Sequence, residues 1–130
     1  MRNYAKIAFT LAFSFVLLGL ADAPQAQARM QYRKKADKLY KKLLEKQGTG
    51  EGDKRTLSCN VCHVAKKSKK IRNDYGAALA KILKKNEKDD DKIKAAFDKV
   101  YKQKSVKDKA KTYGELLDAG ELPSDGKEAK

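Results

Sequence analysis

Cys59, Cys62 and His63 gather every thiol and the only imidazole of the chain into five consecutive positions, in the order C-x-x-C-H. On a helical turn, positions i, i+3 and i+4 share one face. Two thiols on such a face can form thioethers with the two vinyl groups of a haem, and the adjacent imidazole can reach the iron as proximal axial ligand. Asn60 and Val61 are then expected to face away, under weak constraint. Three other uses of these residues compete. A Cys59–Cys62 disulfide suits an oxidising compartment. A thioredoxin-like redox pair expects a βαβ context. A structural zinc wants four ligands, and here a carboxylate or water would have to complete the set. No Ser/His/Asp constellation is available, because the one histidine already belongs to the motif. The chain is therefore read as a non-enzyme, with at most a weak peroxidase-like side reaction.

The elements that must position these residues are read from the rest of the 130-residue chain. Its start has the layout of a secretory signal. Arg2 and Lys6 precede an apolar run of 14 residues, 7–20, and Ala26-Gln27-Ala28 offers small residues for cleavage. The run is shorter than the roughly 20 residues a membrane-spanning helix needs. Residues 1–28 are expected to be removed after Ala28, and the mature protein to be exported to a periplasm or secreted. The alternative is an uncleaved anchor.

From Arg29 onward there are 102 residues with a net charge of +13, of which 17 are Leu, Ile, Val or Phe. So few large aliphatics under so high a charge is the composition of chains that stay unfolded. It excludes a large multi-domain enzyme and an unaided, well-filled core. A covalently held porphyrin would supply the missing apolar surface.

The patterning is all-α, in one domain over residues 29–123. No alternation of period two is visible, and four stretches recur at helical spacing. The first carries Tyr32, Ala36, Leu39, Tyr40, Leu43 and Leu44 and stops at Gly48. Residues 48–53 read as a loop. The second, capped by Asn73 or Asp74, carries Tyr75, Leu79, Ile82 and Leu83. The third starts at the acidic run Asp89-Asp90-Asp91, where the helix dipole favours negative charge, and carries Ile93, Ala96, Phe97, Val100 and Tyr101. The last carries Tyr113, Leu116 and Leu117 before Gly120 and Pro123. Residues 124–130 are expected to form a loose polar tail. Tyr75, Leu79, Leu83, Phe97, Tyr101, Leu116 and Leu117 are candidates to pack on a haem.

The motif, with Arg72-Asn73-Asp74-Tyr75-Gly76 shortly after it, resembles small exported bacterial monohaem c-type cytochromes. The resemblance covers about the middle third of the chain. It implies a small cytochrome c-like helical fold around one covalent haem c, attached outside the cytoplasm at Cys59 and Cys62 with His63 on the iron. Class I members usually supply a downstream Met as sixth ligand, but nothing after His63 is Met or His. The only mature methionine, Met30, lies at an end of the chain and is a weak candidate. A Lys amine, a Tyr oxygen and the amine of Arg29 are others, and an open or water-bound position is favoured.

Lys66, Lys67, Lys69, Lys70 and Arg72 follow the motif directly. They would steer an acidic redox partner toward a haem edge, or simply form part of a solvated lysine-rich shell. The excess of Lys over Arg and the lack of a recognised binding motif argue against nucleic acid. Peripheral association with an anionic membrane surface stays open. The leading expectation is an electron carrier. The alternatives are a small-gas or peroxide binder with an open iron position, and a non-haem cationic secreted binding protein.

Overall fold

The computed structural model describes residues 27–130. The expected signal segment lies almost wholly outside the described residues. The described chain is mostly helical. Its helices are α1 (Gln27–Leu39), α2 (Lys41–Gln47), α3 (Asp74–Ile82), α4 (Asp90–Tyr101) and α5 (Tyr113–Asp118), with 3-10 turns at Gly52–Lys54 and Cys59–Val61. Among the described residues only isolated β-bridges occur, with no extended strand. The all-α expectation matches.

The first helical stretch is two helices rather than one. Tyr40 takes φ −111° and ψ 60°. Its N–H still donates to Ala36 and its carbonyl still accepts from Leu44, each at 2.9 Å, so the ladder continues around a bend. At the bend the Tyr40 ring lies edge-on to Phe97, and its hydroxyl accepts from Tyr75 at 3.0 Å.

The other helix starts are set by side chains. Asn73 caps α3 by accepting from Gly76 N–H at 2.9 Å. Thr112 and Glu115 form a reciprocal capping box on α5. Asp89 caps α4, accepting from the N–H groups of Asp91 and Lys92. The Lys92 bond first, with the Asp91 bond and the Lys92 ammonium helping, holds the Asp89 carboxyl below its ordinary value. A group depressed in the folded state stabilises above its unfolded pKa, and that stability is lost as pH falls through the folded value. Asp89→Asn keeps a capping oxygen and removes the titration. Its unfolding free energy is therefore expected to fall less steeply than that of the parent protein below about pH 4, the ordinary Asp range. Denaturation curves at several acid pH values check this, and equal slopes would contradict it.

Helix α4 packs against α1, α3 and α5, while α2 packs against α1 and α5. The core contains Leu43, Tyr75, Ile93, Phe97, Val100 and Leu117, all but fully buried. Gly120, at φ +71°, ends the α5 segment in the left-handed region that glycine adopts without strain.

The C-terminal segment is docked, contrary to the loose tail expected for residues 124–130. Ser124 is buried. Glu128 forms an antiparallel bridge with Asn73, and Ala129 N–H donates to the Arg72 carbonyl at 3.1 Å. Polar side chains suggested solvation, but the tail is held by its backbone, which composition does not report.

Candidate functional site

The C-x-x-C-H segment forms a 3-10 turn. Ser58 opens it, its hydroxyl accepting from Asn60 N–H at 3.3 Å. The N–H groups of Cys62 and His63 both donate to the Cys59 carbonyl, at 3.2 and 3.0 Å. Just before the turn, Asp37 on α1 accepts from Leu57 N–H at 2.7 Å, which fixes where the chain enters.

Asn73 clamps the turn to α3. Its side-chain amide donates to the carbonyls of Asn60 and Val61, both at 3.1 Å. Its backbone N–H donates to the Cys62 carbonyl at 3.2 Å, while its side-chain oxygen caps α3. The residue is wholly buried. Three residues on, Gly76 lets α3 press against the turn. A Cβ there would stand 1.9 Å from the Cys62 carbonyl oxygen, so no larger residue fits without moving backbone.

Cys59, Cys62 and His63 all line one cavity of about 460 Å³. That volume lies in the range of small-molecule and cofactor sites. Its apolar wall includes Ala36, Leu57, Val61, Leu79, Leu83 and Phe97. Its cationic lining comes from Arg33, Lys69, Arg72, Lys84 and Lys85, and among the described residues no Asp or Glu lines it. The Arg33 Nε is shielded from solvent without a protein partner. Tyr32 ties the wall together: its hydroxyl donates to the Lys84 carbonyl and accepts from Glu87 N–H, at 3.1 and 3.0 Å. This links α1 to the α3–α4 loop.

His63 sits beside Arg72 in an antiparallel bridge, and its Nδ1 lies 3.2 Å from the Ile71 carbonyl. A bond from Nδ1–H to that carbonyl selects the tautomer with its lone pair on Nε2. Cys59 is exposed, whereas Cys62 is half-buried. Burial first, and then the neighbouring Cys59, push Cys62 up to about 12.

The structure brings the three motif residues together and corrects several neighbours. Val61, expected to face away, is 3% exposed and lines the cavity. The tighter 3-10 turn gives three residues per turn, so the middle positions do not all point outward. Of the candidates to pack on a haem, Leu79, Leu83 and Phe97 line the cavity. Tyr75, Tyr101, Leu116 and Leu117 do not: Tyr75, Tyr101 and Leu117 pack in or against the main core, and Leu116 is buried outside that cluster. Met30 is 45% exposed and does not line the cavity, and its sulfur accepts from Arg33 at 3.6 Å. Of the basic run, Lys69 and Arg72 reach the cavity, while Lys66, Lys67 and Lys70 are exposed outside it.

The sequence reading missed Arg33, Leu57 and the clamping role of Asn73. Leu57 adjoins the motif, and Asn73 signalled only its cap. Arg33 lay in an amphipathic stretch with nothing to separate it from neighbouring basic residues. No protein-family model, curated protein or solved structure matches the chain.

Proposed function

We propose that the chain is an exported monohaem c-type cytochrome that carries single electrons, with haem c joined to Cys59 and Cys62 and with His63 as proximal ligand. One observation carries this reading: all three side chains of the motif line the same apolar-walled cavity. The wall chemistry fits the group. A haem is a flat apolar disc with two carboxylates, and the cavity offers aliphatic and aromatic walls, five basic residues and a buried, unpartnered Arg33 donor. The cysteine environment also weighs against one rival. A thioredoxin-like nucleophile needs an ionised sulfur. Burial of Cys62 disfavours that ion, whereas a thioether is neutral. Among the described residues no group of three or more His, Cys, Asp or Glu side chains could hold a metal ion by itself.

When bound, haem supplies one-electron cycling of its iron. The protein does the rest. The Ile71 carbonyl orients His63, and Leu57, Val61, Leu79 and Phe97 would exclude water from the bound group. Arg33 and the lysines of the lining would balance its carboxylates. The surplus positive charge at the mouth steers an acidic redox partner, and it would also favour an anionic membrane surface over a neutral one.

A second reading shares the haem. Among the described residues no Met lines the cavity, and its only His is His63. That favours an open or non-Met sixth position, and with it the binding of small gases or peroxide.

Intact mass and the visible spectrum of protein exported from a host with a haem-attachment system test both readings. The expected result is one added haem on a chain beginning at Arg29, and a ferric near-infrared spectrum without a sulfur-to-iron band. A carbon monoxide shift in the reduced state favours the gas binder over the carrier. Recovery of a haem-free mature protein would overturn both and leave a cationic secreted binding protein.

A further inference from the structure

We propose that a surface groove between α3 and the docked C-terminal segment is where an acidic segment of a partner protein binds. It rests on the acidic-partner part of the reading above and requires no haem.

The groove has a volume of about 340 Å³ and is open to solvent. Three pieces of chain line it. Ala77, Ala80 and Lys81 come from α3, at i, i+3 and i+4 and so on one face of the helix. Residues 70–72 come from the basic run, and Glu128 and Ala129 from the tail. Arg72 and Ala80 also line the motif cavity, so the two hollows adjoin.

The non-helical pieces are fixed by their backbones. Ile71 N–H donates to the Ser68 carbonyl at 2.9 Å, and Lys70 N–H to the Ser68 hydroxyl oxygen at 3.3 Å. The tail is pinned through Glu128 to Asn73 and through Ala129 to Arg72. A preformed surface gives up less freedom when a partner binds.

Charge selects the occupant. Lys70, Arg72 and Lys81 line the groove, against a single carboxylate among the described residues, Glu128. Glu128 itself sits 3.8 Å from Lys67 Nζ, and both side chains of that pair are more than half exposed. Such a pair is weak and exchanges readily. Glu128 is thus an internal example of the group this surface accepts, and a competitor for it. A second copy of the chain, at +14, is repelled. Ile71, Ala77 and Ala80 supply small apolar surface between the cations, against which the backbone of an extended segment can lie. A recess of this kind suits a segment of chain more than it suits the plane of a bilayer.

The test uses the full chain as isolated and a fluorescent, end-blocked octapeptide of alternating Glu and Ala at low ionic strength. Anisotropy reads affinity, and zero-length carbodiimide coupling followed by peptide mapping reads position. Coupling is expected chiefly at Lys70 and Lys81. Changing both, Lys70→Ala with Lys81→Ala, should weaken binding about tenfold. Lys99→Ala with Lys109→Ala removes the same charge elsewhere and should weaken it about twofold or less. Glu128→Gln removes the internal competitor and should tighten binding about twofold or more. Equal weakening by the two double variants, or coupling spread over all exposed lysines, would overturn the groove and leave only net charge attracting an acidic partner. No peptide binding at all would overturn the groove and the acidic-partner reading together. Vesicles of phosphatidylglycerol and phosphatidylcholine that retain the chain through Lys70 and Lys81, with no peptide binding, would assign this face to a membrane instead.

Discussion

Replacing Cys59 and Cys62 together by alanine is expected to remove most of the helical circular dichroism of the protein and its cooperative melting transition. The reason lies in how little else the core contains. Residues 29–130 include 17 large aliphatic and phenylalanine residues under a net charge of +13. Several of its apolar side chains, Leu57, Val61, Leu79 and Phe97, line the cavity and would pack on the haem. Burying several hundred Å² of macrocycle at roughly 25 cal/mol per Å² contributes on the order of 10 kcal/mol. That is comparable with the whole stability of a small domain. Without the covalent links a haem would be free to leave, and ordering this lysine-rich chain would have too little to offset its entropy. A double variant with native-like dichroism and melting would show that the protein side chains hold the fold unaided.

Asn73→Ala should have the next largest effect, a loss of about 3 kcal/mol, with the haem-loaded denaturation midpoint as its measure. The side chain is wholly buried and makes three hydrogen bonds. Alanine strands the Asn60 and Val61 carbonyls and removes the α3 cap. An unpaired buried polar group costs about 1–3 kcal/mol and a lost cap about 1 kcal/mol, with partial relief where water enters. Asn73→Asp separates the two roles. It keeps the oxygen that caps α3 but turns an oxygen, in place of an amide, toward the two motif carbonyls. Failure of Asp to rescue would assign the effect to the clamp, and full rescue would assign it to the cap.

These residues also show what could be read in advance. Cys59, Cys62 and His63 were legible because their chemistry depends on spacing along a short turn, which sequence records directly. The starts of α3 and α4 were legible for the same local reason: Asn73 and Asp89 bond to N–H groups two or three residues away. The apolar stripes of α3 and α4 carried their buried faces. What escaped was set by distant partners. The bend at Tyr40 serves Tyr75, 35 residues on. The wall role of Arg33 depends on α1 lying across the cavity. The split of the aromatic and aliphatic stripes between cavity and core depends on which side of α4 each element occupies, and periodicity marks a buried face without saying what it is buried against. Val61 was misplaced by assuming α-helical spacing in what is a tighter turn.

The docked tail has a consequence for what holds the motif in place. Arg72 and Asn73, which stand directly behind it, take backbone partners from Ala129 and Glu128, 57 and 55 residues further along the chain. Contacts of that separation close a long loop, at an entropic cost that the local turn does not carry. The support behind the motif can therefore let go while the turn itself stays formed.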